Sequence, residues 1–354
     1  MAFLKSKTLF FTTSPRTPSK MIPEIELLTA NFTGRAWNTQ SQIEFIEKLT
    51  ENPHFEGQGS KKDMAFSARD RINRGPKALG FVDLKPTIQL TDAGREFISN
   101  KRTEEVLLRQ LLKFQLPSPY HRETVDSDKT FWIKPYLEML RLVDTLEKIS
   151  FDEIMLFGMQ LIDYRDFNDV VNKIRNYRAG RSTFKGSYKQ YLGHTLDSEL
   201  AKIFEAEIKT GNTSTRESTD ASLAKFKKTK RSNLRDYTDA CFRYLRATGL
   251  VSISHKGRSL SVMPDKINEV KFILETVDRN PVFVNDEHKY KSHLFNATTP
   301  VLFTDNRLNL EEYILRCSST TKSQLDGKSV TELKDLREEI IRRNKESIVS
   351  TQIQ

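Results

Sequence analysis

The sequence predicts a mainly α-helical chain with two small β-wings, an α+β fold built on tandem winged helix-turn-helix subdomains. A duplicated pattern carries that prediction: a helix-like stretch, a glycine-bearing turn, a two-stranded ribbon and a second helix occur across Lys62–Ile98 and again across Leu234–Leu274. In each copy a Gly-Phe-Val or Gly-Leu-Val step closes the first helix, at Gly80 and at Gly249. A turn at Lys85-Pro86 or at His255–Arg258 then joins two strands of alternating polarity. The next helix opens at Thr91-Asp92 or at Pro264-Asp265. Helices set beside wings on a basic chain direct attention to duplex DNA.

The elements divide into three expected regions. The first, 1–100, begins with a Pro-rich turn at Ser14–Ser19 that delivers Pro23 to the first position of a helix carrying Ile25, Leu27 and Leu28. A second helix from about Ser41 presents Ile43, Phe45, Ile46 and Leu49 at helical spacing before the first copy. The second region, 101–280, holds helices marked by Val106–Leu112 and Leu137–Leu146, a capping turn at Ile149–Glu153, and the second copy. Between Lys209 and Ser222 all large apolar residues are missing, so 209–235 reads as a mobile basic loop. The third region, 281–354, is a linker followed by a charged helix over Leu325–Lys345.

With 354 residues, 37% of them hydrophobic, the chain can bury ordinary cores. Two cysteines, Cys241 and Cys317, make no zinc-ligand spacing and suit a reducing cytoplasm. The apolar run Leu9-Phe10-Phe11 is too short to enter a membrane. The six histidines are scattered, and His288 and His293 read as loop residues.

The net charge of +10 matters because it is clustered. Between Lys225 and Arg235 stand Lys225, Lys227, Lys228, Lys230, Arg231 and Arg235 with no acid, leading into the second helix candidate. Lys61, Lys62, Arg69, Arg71, Arg74 and Lys77 gather around the first copy, diluted only by Asp63 and Asp70. Arginine can grip guanine with two hydrogen bonds, whereas lysine binds phosphate without sequence information. Arg69, Arg71, Arg243 and Arg246 are therefore the candidates for reading bases. Ser14, Arg16, Ser67, Lys256 and Arg258 complete the candidate DNA-binding set. A surface ion pair is the competing reading for every arginine, and Asp70 between Arg69 and Arg71 makes it concrete.

Six segments in order, Phe11–Pro18, Asn31–Gly34 with Trp37, Ala65–Arg71, Leu79–Val82, Ile88–Gly94 and Leu111–Ser118, resemble the N-terminal half of the AlwI family of type IIS restriction and nicking endonucleases. The resemblance covers most of residues 8–275. It implies winged-helix subdomains that recognise a short asymmetric duplex site as a monomer, and a separate magnesium-dependent nuclease of the PD-(D/E)xK type. The chain is expected to stop where that family's linker begins. The nuclease and its Mg2+ would then belong to a domain or subunit outside these residues, with no cofactor or metal site expected within them.

Residues that could conceal a nuclease site are few. Asp197 with Glu207 and Lys209 has workable spacing, but the segment has helical periodicity, which turns positions two apart to nearly opposite sides. Asp265 with Glu269 and Lys271 is spaced too tightly, and Asp326 with Glu332 and Lys334 opens the terminal helix. Gly327-Lys328-Ser329 lacks the first glycine of a phosphate loop, since Lys322 stands there. Two rival readings remain: a complete endonuclease using the Asp197/Glu207 pair, and a stand-alone winged-helix transcription regulator. The regulator would dimerise through the terminal helix, along Leu325, Val330, Leu333, Leu336, Ile340 and Ile341.

Overall fold

Caps and left-handed turns set the helix ends where the sequence places them. The computed structural model describes residues 2–4, 6–51, 63–99, 101–123, 130–214, 222–254 and 258–351. Asp63 accepts the Phe66 N–H at 2.7 Å and Thr91 accepts the Gly94 N–H at 2.9 Å. Ser150 and Glu153 exchange bonds in a capping box. Gly80 and Gly249 stop their helices at φ +77° and +69°, where a side chain would also collide with Leu294 and Glu104 respectively.

The helices are α1 (Met21–Phe32), α2 (Thr39–Glu51), α3 (Met64–Ile72), α4 (Asp92–Ile98), α5 (Thr103–Lys113), α6 (Pro135–Thr145), α7 (Phe151–Leu156) and α8 (Phe167–Thr183). There follow α9 (Tyr188–Ile203), α10 (Glu205–Thr210), α11 (Leu223–Arg246), α12 (Ile267–Thr276), α13 (Glu287–Phe295), α14 (Arg307–Cys317), α15 (Lys322–Leu325) and α16 (Val330–Thr351). The strands are short: β1 (Ala2–Leu4), β2 (Val82–Asp83), β3 (Gln89–Leu90), β4 (His121–Glu123), β5 (Ile149–Ser150), β6 (Val251–Ile253) and β7 (Ser259–Val262). β1 pairs parallel with β4, β2 antiparallel with β3, and β5-β7-β6 form an antiparallel sheet. The predicted class, mainly helical with small antiparallel ribbons, is therefore the observed one. No helix among the described residues is long and apolar enough to cross a membrane.

Several local expectations change. Helix α1 starts at Met21 behind a 3-10 turn at Pro18–Lys20, so Pro18, not Pro23, takes the first position. After α3 comes a π-helical turn, Asn73–Lys77, that contains Pro76. His288 and His293 lie on α13, not in a loop. The basic stretch from 225 is helix rather than mobile loop.

The chain packs as two units, Met1–Pro264 with Asp278–Ala297, and Asp265–Val277 with Thr298–Gln354. In the larger unit, α13 is held by two α5 side chains. Gln110 Nε2 donates to Leu79 O at 2.6 Å and Leu294 O at 2.7 Å, and buried Lys113 caps the helix end through the carbonyls of His293, Leu294 and Asn296. The smaller unit contains α12, the helix that follows the second ribbon, because Phe272 packs edge-on to Phe303 and Glu269 pairs with Arg337. Its core is Leu310, Ile314, Leu325, Leu333 and Ile340, with Val330 and Leu336 beside them. The terminal apolar stripe expected to join two copies of a regulator is thus buried inside its own unit.

Two partly buried imidazoles carry a pH consequence. His121 lies against Phe10 and Phe114, with ring centroids 5.6 and 5.8 Å away, and burial, reinforced by Lys77, pushes its pKa down to about 4. His293 is pushed to about 4 by burial and then by Lys113 and Lys134, and its Nε2 has no hydrogen-bond partner. Both rings stay neutral in the fold and ionise near pH 6.5 once unfolded, so the unfolded chain takes up protons as the pH falls from about 6.5 toward 4. The urea midpoint is expected to be level above pH 7 and to drop steadily between pH 6.5 and 5. Replacing both histidines by asparagine is expected to shallow that drop; a midpoint flat from pH 7 to 5 would refute the assignment.

Candidate nucleic-acid interface

Helix α3 buries Ala65, Ala68 and Ile72 and turns Phe66 and its polar residues outward, so its cations can be sorted by what holds them. Arg71 donates to Glu24 at 2.6 Å, and the Glu24 side chain is only 6% exposed. Burial raises the Glu24 pKa while Arg71 draws it back, so Arg71 belongs to a half-buried ion pair rather than a free surface. Arg74 is held by Asp70 at 2.7 Å. Lys77 lies 4.6 Å above the Tyr120 ring, and burial lowers its pKa. Arg69 is different: its Nη1 donates at 2.8 Å to Gln42, a buried neutral partner that itself donates to Trp37 O at 3.0 Å. Its orientation is fixed, and it pairs with no acid among the described residues.

The other N-terminal candidates have local duties. Ser67 donates to Asp63 O at 3.1 Å within its own helix turn. Ser14 packs its carbonyl against Gly75, where a Cβ would come within 3.1 Å of it. Arg16 meets Asp236 at 3.2 Å with both side chains exposed, a contact worth little in stability. Lys61, Lys62 and Lys256, with His54 and His255, lie outside the described residues.

The run Lys225–Arg235 forms the first three turns of α11, a correction to its reading as a loop. Charge masked a helical spacing in which Phe226, Leu234, Thr238, Cys241 and Leu245 are all buried. Ser222 caps the start, Phe226 packs edge-on to Phe204, and Lys230 lays its ammonium over both rings at 4.8 and 5.1 Å. Lys228, Arg235, Arg243 and Arg246 then recur on the outer face over 18 residues, about 27 Å of helix. Lys225, Lys228, Arg235 and Arg246 are exposed and form no ion pair among the described residues. Lys227 is half-buried between them.

Two arginines converge on one carboxylate at the far end of this helix. Arg243 Nε donates to Asp239 Oδ2 at 2.8 Å, and Arg258, at the start of β7, reaches Asp239 Oδ1 at 3.5 Å. Arg258 also stacks 4.0 Å above Phe151, and its carbonyl accepts the Phe151 N–H at 2.7 Å. Helix α11 and the start of β7 are therefore tied through a single acid.

The residues considered for catalysis do not converge. Asp197 is on α9 and pairs with Arg231, Glu207 is on α10 and accepts from Lys7 at 2.8 Å, and Lys209 turns back to Glu205. These side chains do not fit a magnesium ion, because each carboxylate already faces its own cation. Among the described residues no group of three or more His, Cys, Asp or Glu side chains is placed to hold a metal.

One basic feature escaped the sequence reading. From Val170 to Leu196 there is no acid, and Lys173, Arg175, Arg178, Arg181, Lys185 and Lys189 supply six positive charges across the α8–α9 hairpin. They are spread over 17 residues rather than packed into a short run, so only a count of missing acids, none in the 27 residues from Val170 to Leu196, would have found them.

Comparison with known proteins places this framework. The family model described as AlwI restriction endonuclease matches residues 77–354. No curated protein matches the chain. Among solved structures, pyrene- and phenanthrene-modified DNA in complex with the BpuJ1 endonuclease binding domain is similar at 12% identity and a TM-score of 0.49, over 78% of this chain and 92% of that one. With more than three quarters of its length matched by the family model, the chain belongs to the AlwI restriction endonuclease family.

Proposed function

We propose that this chain recognises a short asymmetric site in duplex DNA as the recognition module of a type IIS restriction or nicking endonuclease. Membership of the family carries the reading, and a repeated order of elements supports it. In the first copy α1 is followed by Gly34-Arg35, which exchange backbone bonds with Ile88 at 2.9 and 2.8 Å, then by α2, α3 and the β2–β3 ribbon. In the second, α6, β5 and α7 are followed, after an insertion, by α11 and the β6–β7 ribbon, with β5 against β7. Both follow the winged helix-turn-helix order, in which the helix before the ribbon enters the major groove. Those helices are α3, which carries the half-buried Arg69, and α11, which carries the exposed Arg235, Arg243 and Arg246.

Within this reading Arg69 and Arg243 read bases, because each is oriented through one nitrogen, with no other bond to its guanidinium among the described residues. Lys225, Lys227, Lys228, Arg235 and Arg246 neutralise phosphate. Arg71, Arg74 and Arg231 serve the fold through their acids. Phosphodiester cleavage, with Mg2+, is left to a separate nuclease domain or subunit, and no step of it is assigned to these residues.

Selection from a random duplex pool, followed by sedimentation, tests the reading. The expected result is a non-palindromic motif bound by one chain per duplex, whereas two chains on an inverted repeat would favour a dimeric regulator. Substitution then sorts the arginines. Arg69→Ala or Arg243→Ala is expected to cost about 1 to 3 kcal/mol on the selected site and to relax preference at one or two base pairs. Arg71→Ala is expected to lower the unfolding midpoint instead, leaving base preference intact. Equal losses for Arg69→Ala on selected and random duplex would reduce that residue to a phosphate contact.

A further inference from the structure

We propose that the α8–α9 hairpin is a second phosphate-binding surface, which grips the DNA backbone beside the recognised site; the proposal rests on the recognition reading above. The distribution of charge singles it out. The hairpin stretch contributes +6 and the Lys225–Arg235 run another +6, while the whole chain carries +10. The remainder is therefore slightly acidic, and the positive field of this protein comes from these two places.

Elsewhere Arg71, Arg74 and Arg231 face acids of their own, but most of the cations here do not. Arg175, Lys185 and Lys189 are exposed and Arg181 half-exposed, and none of the four forms an ion pair among the described residues. Arg181 donates only to Phe184 O and lies over the Tyr188 ring, whereas Arg178 meets an acid: its Nε donates to Glu153 at 2.7 Å and its Nη2 to Lys148 O at 2.5 Å. That bond fastens the hairpin to the start of α7, and Tyr188 Oη adds a bond to Asp152 at 2.6 Å. Tyr177 stacks on Tyr191 with ring centroids 4.9 Å apart, and Gly180 leaves the space for Tyr191 Oη that a Cβ would close to 2.6 Å. The charges thus sit on a braced scaffold, which spares them the ordering cost a loose lysine tail would incur on binding.

Position decides what the surface meets. Residues 151–153, which brace the hairpin through Asp152 and Glu153, also hold Arg258 of the wing over Phe151. A duplex engaged by α11 and its ribbon would continue past this corner, where an acid-free surface can contact phosphates without contacting base edges.

The test uses the full chain, the motif from the selection above, and a quadruple variant R175Q/R181Q/K185Q/K189Q, with K185E/K189E as a second variant should the first fold poorly. Affinity is measured against salt on a duplex limited to the motif and on one extended by about two helical turns on each side. The wild-type chain is expected to bind the extended duplex more tightly and with a steeper salt slope. Both variants should forfeit that increment, the slope falling by about 0.9 for each phosphate no longer neutralised, with motif preference and thermal midpoint unchanged. An undiminished increment in both variants overturns the proposal, as does an equal loss on short and long duplexes, which would place the hairpin on the motif itself. Failure of the wild-type chain to select any duplex would instead overturn the recognition reading.

Discussion

The buried segment Thr8–Pro15 is the tie on which the larger unit depends. Leu9 donates its N–H to Met159 O at 2.7 Å, Phe11 packs edge-on to Tyr136 at 5.0 Å, and Thr12 Oγ1 donates to Arg74 O at 3.0 Å. Tyr244 of α11 then donates its hydroxyl to Pro15 O at 2.9 Å. Leu9 and Phe11 are almost wholly buried, each worth about 1.5 to 3 kcal/mol of apolar transfer. The segment touches the turn after α3 on one side and α11 on the other. The turn after α3 and helix α11 are consequently tied to each other through one buried segment.

Once that frame is set, the acids decide which cations remain available. Glu24, Asp70 and Asp197 take Arg71, Arg74 and Arg231 out of circulation, and the adjacent Arg69, Arg235 and Arg246 keep their charge. Proximity in sequence says nothing about this division. Arg69 and Arg71 are two residues apart on one helix, so they face different neighbours, one a buried amide and the other a buried carboxyl.

This is also why some features were legible in the sequence and others were not. Ribbons, caps and left-handed glycines are local, and Gly80, Thr91, Ser150 and Gly249 stand where the residue pattern placed them. The order of elements in the second copy is not local: β5 and α7 are separated from α11 by the inserted α8–α10, so the pairing of β5 with β7 is invisible without the fold. The start of α11 was hidden by its lysines, although Phe226 and Leu234 already carried the helical period. The stripe on α16 was legible as apolar but not as to its partner, since Leu310 and Ile314 meet it from another helix. Among the site residues, types and clusters were readable, whereas their pairing depended on long-range neighbours.

Asp239 is an acid on the surface to which the proposed function assigns DNA contact. Alone it would repel phosphate, yet it lies between two guanidinium groups from different elements, Arg243 of the helix and Arg258 of the wing. Each arginine loses rotamer freedom to the carboxylate before any ligand arrives, which lowers the entropy still to be lost on binding. The charge balance of the trio stays positive, and because Arg243 engages through Nε, its terminal nitrogens remain free to present the planar fork that suits a guanine edge. Sharing one carboxylate has a further result. On the proposed reading, a displacement of the β6–β7 ribbon would change the orientation of the helix arginine and so couple backbone fit to base reading through one ion pair.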